Sequence, residues 1–157
     1  MLSLKIKMKL GKAPDFELED VNGVRRKLSD YKGKFLVIYF YPKDMTPGCT
    51  KEACNLRDNY KKFKENKIEV LGISLDSKES HKKFAEKHFL PFPLLSDVNA
   101  EVSKKYGVYK KKKMYGKEFY GIERKTFVIN PEGTIKFVIE DVNVENHAEQ
   151  IFDLLNK

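Results

Sequence analysis

Residues 35–74 read FLVIYFYPKDMTPGCTKEACNLRDNYKKFKENKIEVLGIS, and the reading of this stretch decides the fold. Phe35 to Tyr41 is a continuous apolar run rich in aromatic and β-branched residues, the pattern of a strand covered on both faces. Pro42 ends it, and KDMTPG has the composition of a turn. From Cys49 the pattern becomes helical: Ala53, Leu56, Tyr60 and Phe63 fall at i, i+3, i+7 and i+10, with charges elsewhere. Ile68 to Ser74 is a second buried strand. Strand, helix and strand in this order predict a parallel pair joined by a right-handed crossover.

Working outward, Asp76 and Ser77 are N-cap candidates for a helix through about His88. LPFPLLSD (90–97) is extended and punctuated by proline, and a short helix is expected from Val98 to Tyr106. Thr126–Ile129 and Thr134–Ile139 read as two strands around the turn Asn130-Pro131-Glu132-Gly133, a hairpin signal. A terminal helix is expected over about Val144 to Leu155, and a further hairpin near Phe16–Leu28. The order is that of an α/β, thioredoxin-like sandwich, with a central mixed β-sheet flanked by helices and an N-terminal β-hairpin extension. With no internal repeat and no Gly/Ser or Pro linker, residues 1–157 are expected to form a single domain, long enough to bury a real core.

The formal charge is +8, from 31 Lys+Arg against 23 Asp+Glu. The lysines mostly accompany glutamates, which favours a solvated surface over a specific nucleic-acid site. No apolar run approaches the ~18 residues of a membrane span. The opening MLSLKIKMKL alternates Lys with apolar residues and lacks the apolar core and cleavage site of a leader. A cytoplasmic protein with no membrane partner is therefore expected, with Met8 as an alternative start to Met1. His81, His88 and His147 lack metal-ligand spacing, and His81 and His88, at i and i+7, are expected at the surface. No glycine-rich phosphate loop is present, so neither a metal nor another cofactor is expected.

Two cysteines are too few for a disulfide scaffold, which makes their positions informative. Cys49 stands where strand gives way to helix, behind Thr46, Pro47 and Gly48. Free backbone N–H groups and the partial positive charge of a helix start favour a thiolate and can bring a cysteine from ~8.5 into the ~3.5–7.5 range. The alternative is a small buried core residue. Cys54 lies five residues on, where an ideal helix separates the Cα atoms by roughly 8.6 Å. Disulfides need less than ~7 Å. If both cysteines take part in turnover, the first helical turns must unwind between the reduced and oxidised states.

The run from Tyr41 to Cys54, YPKDMTPGCTKEAC, resembles the peroxiredoxin signature P-x-x-x-T-x-x-C, and more narrowly the Q-type or bacterioferritin comigratory branch. The likeness continues through GISLDSKESHKKFAEKHFLPFPLLSD and YGKEFYGIERKTFVINPEG, and so covers nearly the whole chain from about Gly11. The resemblance implies a thiol-dependent peroxidase acting on hydrogen peroxide and organic hydroperoxides in antioxidant defence, as an atypical 2-Cys enzyme. Cys49 would be the peroxidatic nucleophile and Cys54 the resolving cysteine, linked in turnover by a Cys49–Cys54 disulfide that thioredoxin or a similar dithiol recycles. Thr46 would hydrogen-bond the thiolate and the peroxide, Arg124 would stabilise the thiolate, Pro42 would shield the pocket, and Glu52 would orient the arginine. The branch is often monomeric. Tyr109 stands where the family commonly has tryptophan and Lys111 where it frequently has an acid. The run Tyr109-Lys110-Lys111-Lys112-Lys113 is therefore expected to be an unusually basic surface loop. Two other readings remain: a general thiol–disulfide oxidoreductase on the same fold, and a redox-sensing module whose basic surface binds nucleic acid.

Overall fold

A computed structural model describes residues 6–156, with backbone alone for residues 6–10. The two strands of the decisive stretch form as expected. Strand Phe35–Phe40 lies parallel to strand Ile68–Ser74, with Tyr39 opposite Gly72. In chain order the strands are β1 (Ile6–Lys12), β2 (Glu17–Glu19), β3 (Arg25–Lys27), β4 (Phe35–Phe40), β5 (Ile68–Ser74), β6 (Leu94–Ser96), β7 (Tyr109–Met114), β8 (Lys117–Ile122), β9 (Lys125–Ile129) and β10 (Thr134–Ile139). The helices are α1 (Pro47–Asp58), α2 (Tyr60–Glu65), α3 (Lys78–His88), α4 (Glu101–Lys105) and α5 (His147–Leu155). The main sheet has the order β1-β10-β9-β4-β5-β6, parallel across β4, β5 and β6 and antiparallel elsewhere. This is the mixed sheet of a thioredoxin-like fold.

The alternation within β4 explains its unbroken apolar run. Val37, Tyr39 and Tyr41 enter one core with Ala53, Leu56, Phe63, Ile151 and Phe152, under α1, α2 and α5. Leu36, Ile38 and Phe40 enter the opposite core with Val102, Tyr106 and Phe127. Neighbouring residues thus serve the two layers on either side of the sheet. Gly72 lets β5 pass beneath the Tyr39 ring: a Cβ there would lie 2.8 Å from Tyr39 Cε1 and from Leu94 Cδ2. Gly72→Ala is expected to cost about 1–3 kcal/mol through overpacking. The measurement is a urea midpoint that falls while the slope stays unchanged.

Four findings correct or extend these expectations. The stripe from Ala53 to Phe63 is two helices, because Asn59 leaves helical geometry (φ −109°, ψ 8°) and its amide bonds the Asn55 carbonyl at 2.8 Å. Such a local side-chain bond competes with the helical ladder. The N-terminal alternation of Lys with apolar residues is the period-two pattern of a strand, β1, which pairs with β10. Residues 1–5 lie outside the described residues, so the choice of Met1 or Met8 as the start is not addressed there. Third, the basic run is no loop: Tyr109–Met114 pairs antiparallel with Lys117–Ile122 as a two-stranded ribbon. Its turn, Tyr115 and Gly116, has φ +52° and +78°, the primed geometry that suits hairpins. Four successive lysines, Lys110 to Lys113, leave the first strand without an apolar–polar alternation to read.

The fourth concerns the histidines. Of the two expected at the surface, His81 is fully buried and His88 is partly buried, and His147, for which no surface position was expected, is fully buried as well. His81 faces Asp44 Oδ2 with Nδ1 at 2.7 Å and the Leu95 carbonyl with Nε2 at 3.0 Å. These partners come from other elements, and helical spacing does not register them.

Candidate active site

The site forms where β4 leaves the sheet. Tyr41 continues β4 into the core, Pro42 follows partly buried, and the chain turns through Lys43, Asp44 and Met45 into α1. Met45 has φ +66°, a left-handed backbone that an unbranched side chain adopts only under constraint. The constraint comes from Asp44. Its carboxylate accepts from the Tyr41 hydroxyl (2.6 Å) and the Ser80 hydroxyl (2.8 Å) and meets His81 Nδ1, while its backbone N–H donates to Asp76 (2.8 Å). Asp44, Asp76 and His81 lie close enough together to suggest a metal site. The oxygens that face one another already accept hydrogen bonds from Ser80, Ser74 and the Asp44 amide. The cluster reads as the polar clamp that anchors the loop to α3.

Helix α1 begins with Thr46 as N-cap and Pro47 at its first position, where the missing N–H costs nothing. The first helical bond runs from Thr50 N–H to the Thr46 carbonyl (2.9 Å), so the N–H groups of Gly48 and Cys49 lie ahead of the ladder. Thr46 does not cap them with its side chain. Its hydroxyl donates to the Lys43 carbonyl at 2.8 Å, leaving its lone pairs, not its proton, available to a bound molecule.

Cys49, Glu52, Ala53 and Leu56 make up the buried face of α1. Cys49 and Glu52, three residues apart, are neighbours on that face. Arg124 reaches them from the segment between β8 and β9. The register places Phe40 opposite Lys125, so the start of β9 meets the end of β4. From there the guanidinium spans both side chains: Nη2 donates to Cys49 Sγ at 3.3 Å and Nη1 to Glu52 Oε1 at 2.5 Å. A cationic donor aimed at sulfur lowers the energy of the anion relative to the thiol. Gly48 makes room for it, since a Cβ there would stand 3.2 Å from Arg124 Nη2.

Glu52 is fully buried, and burial pushes its carboxyl up to about 7 against the opposing pull of Arg124. Lys112 differs from its neighbours in the ribbon. It is partly buried, its ammonium donates to the Ile122 carbonyl, and burial together with the charge of Arg124 lowers its pKa. In the sequence Lys112 looks like one more solvated lysine, and only the fold brings it into the field of the site.

Cys54 lies on the same helix as Cys49, and both thiols are free. It is partly exposed, with Sγ 3.9 Å from His88 Nδ1 at the end of α3. Arg57 ties this half of α1 to the same place by donating to the His88 carbonyl (2.7 Å). The structure therefore groups Cys49, Glu52 and Arg124 tightly, places Thr46 and Pro42 on the loop above them, and holds Cys54 further along the helix. His147 has no role that its sequence context suggests. It comes within 3.6 Å of Glu52 through the docking of α5, and nothing in its neighbouring residues signals that contact.

The sequence model of the AhpC/TSA family matches residues 11–138. Peroxiredoxin Bcp of Bacillus subtilis is 50% identical over 144 residues, covering 92% of each chain. Peroxiredoxin Bcp of Escherichia coli is 43% identical over 145 residues, 92% of this chain and 93% of that one. Among solved structures, the bacterioferritin comigratory protein of Xanthomonas campestris, studied for its alkyl peroxide reduction activity, superposes with a TM-score of 0.84 at 38% identity and 90% coverage of both chains. A PrxQ variant from Xylella fastidiosa gives a TM-score of 0.87 at 36% identity, covering 99% of this chain and 98% of that one.

Proposed function

The chain belongs to the AhpC/TSA family as a peroxiredoxin of the Bcp type, a thiol-dependent peroxidase, and from that premise we propose that Cys49 is its peroxidatic nucleophile and Cys54 its resolving thiol. The observation that carries the assignment is the Arg124 guanidinium donating to Cys49 Sγ at the first turn of α1. The Cys49 thiolate attacks one oxygen of the hydroperoxide. The O–O bond breaks, the departing alkoxide or hydroxide takes a proton and leaves as alcohol or water, and Cys49 becomes a sulfenic acid. Negative charge grows on the leaving oxygen, and donors already in place at the helix start stabilise it without reorganising. Arg124 donates to the sulfur, Glu52 holds Arg124, and Thr46 and Pro42 border the incoming peroxide.

Cys54 then condenses with the sulfenic acid, expelling water and forming a disulfide. Helical geometry keeps the two Cα atoms roughly 8.6 Å apart, so the first turns of α1 must open first. Thioredoxin or a similar dithiol reduces the disulfide and restores both thiols. The same reading makes the protein a monomer working in the cytoplasm, on hydrogen peroxide and on alkyl hydroperoxides of the kind reduced by the Xanthomonas relative. Among the described residues no helix is long and apolar enough to cross a membrane.

Mass spectrometry after one equivalent of peroxide tests the cycle. The parent should carry a Cys49–Cys54 bridge, and Cys54→Ser a dimedone-reactive sulfenic acid on Cys49 that consumes one equivalent and then stalls with a dithiol protein as reductant. Parent-like turnover by Cys54→Ser would show that the reductant resolves Cys49 directly.

A further inference from the structure

Behind the arginine lies a second polar layer that the peroxidase cycle leaves unused. Gln150 is fixed in orientation, because its Oε1 accepts from Asn143 N–H (2.9 Å) and its Nε2 donates to the Asp141 carbonyl (3.0 Å). His147 Nδ1, 2.8 Å from that same Oε1, must therefore carry a proton. Burial lowers the His147 pKa to about 4, so the ring is neutral and Nε2 is bare. Its lone pair accepts from the Thr126 hydroxyl at 2.7 Å. The same nitrogen faces Glu52 Oε2 at 3.6 Å, and this fully buried oxygen has no hydrogen-bond partner, while Oε1 is taken by Arg124. A carboxylate oxygen without a partner facing the electron-rich edge of a neutral ring in a dry site is unfavourable, and a proton on Oε2 removes that repulsion.

Building on the assignment of Cys49 as nucleophile, we infer that His147 is a positioning residue for the peroxidase reaction. Its bare Nε2, facing Glu52 Oε2, favours the protonated carboxyl over the carboxylate, and so leaves the charge of Arg124 to the Cys49 thiolate. An ionised Glu52 at 2.5 Å would offset much of that charge, whereas a protonated one orients the guanidinium without neutralising it. The groups around the pair come from five elements and the segment before β9. They are Cys49 on α1, Tyr39 with its buried hydroxyl on β4, Arg124 ahead of β9, Thr126 on β9, Gln150 on α5 and, towards the ribbon, Lys112 on β7. The only cations in this set are Arg124 and Lys112. As pH rises through the titration of the pair, Glu52 ionises and the hold on the thiolate weakens.

The test uses a Cys54→Ser background, so that iodoacetamide reads Cys49 alone. His147→Asn keeps the bond to Gln150 but withdraws the Nε2 acceptor and admits water, which lets Glu52 ionise. The midpoint of the alkylation-versus-pH curve should move up by about one pH unit, and the peroxide reaction below that midpoint should slow about tenfold. His147→Gln, whose carbonyl oxygen can occupy the place of Nε2, should recover most of both. A curve that superimposes on the parent's, or a rate lowered by one factor at every pH, overturns the inference. Carboxyl-carbon and ring-nitrogen NMR on the unsubstituted protein is a second measurement that needs no variant to fold. A Glu52 carboxyl titrating near neutrality beside an unprotonated His147 Nε2 supports the inference, and titration in the ordinary glutamate range overturns it. Failure of the underlying assignment is separately visible, as peroxide turnover surviving in Cys49→Ser.

Discussion

Cys49→Ser is expected to abolish peroxide turnover, by on the order of a thousandfold or more, as removal of a covalent nucleophile does. Serine is close in size, and Cys49 is 1% exposed in a core shared with Tyr39, Ala53 and Leu56, so the fold should persist. Circular dichroism and the urea midpoint of the variant should stay near those of the parent. The hydroxyl cannot replace the thiol because Arg124 is placed to hold a polarisable anion, and a serine alkoxide is far harder to form. Peroxide consumption with a dithiol protein as reductant is the measurement. Parent-like turnover in Cys49→Ser would overturn the nucleophile assignment, and an insulin-type disulfide reduction outpacing peroxide turnover in the parent would favour a general oxidoreductase instead.

Arg124→Met should be the next most damaging change. It withdraws the cationic donor to Cys49 Sγ and leaves Glu52 buried without its charged partner. An opposite charge at this range is worth about 1–3 pH units in the balance between anion and acid. The alkylation curve of Cys49 should therefore move to higher pH by that amount, and peroxide reduction near neutrality should fall by about 10- to 1000-fold. Glu52 should then protonate fully, because burial alone disfavours its anion. Arg124→Lys should recover only part of the rate. The guanidinium bridges Sγ and Oε1 with two separate nitrogens, and an ammonium, a single charged nitrogen on a flexible stem, cannot reproduce that fixed fork. An alkylation curve unchanged in Arg124→Met would show that the helix start alone sustains the thiolate.

The two variants weigh the contributions to one anion. The helix start supplies N–H groups from the backbone, and no side-chain substitution removes them. Arg124 supplies a full charge from 75 positions away in sequence. Glu52 shows why a charge so placed needs a third group: a carboxyl that orients the guanidinium also competes for it, and the outcome turns on where one proton resides.

Much of this was legible in the amino-acid sequence by itself. The apolar run from Phe35, the helical stripe after Cys49 and the second run at Ile68 are local patterns, and local patterns determine β4, α1 and β5. The Ser77 cap is equally local, its side chain accepting from Ser80 N–H at 3.1 Å as the spacing predicted. The positions of Cys49 and Cys54 also determined that the two thiols would stand apart on one intact helix. Only the tertiary structure decided which groups face them. Arg124 meets Cys49 because antiparallel pairing of β9 with β4 brings distant residues to one sheet end. His147 meets Glu52 because α5 docks over α1. His81 and Asp44 become a buried clamp because α3 closes over the loop. Periodicity records which face of an element is apolar, and it carries no information about which polar group from another element will lie opposite. That pairing is set by sheet order and helix docking, so Arg124 and Glu52 could be named beside the cysteines only through a family resemblance, and His147 and Lys112 were not named beside them at all.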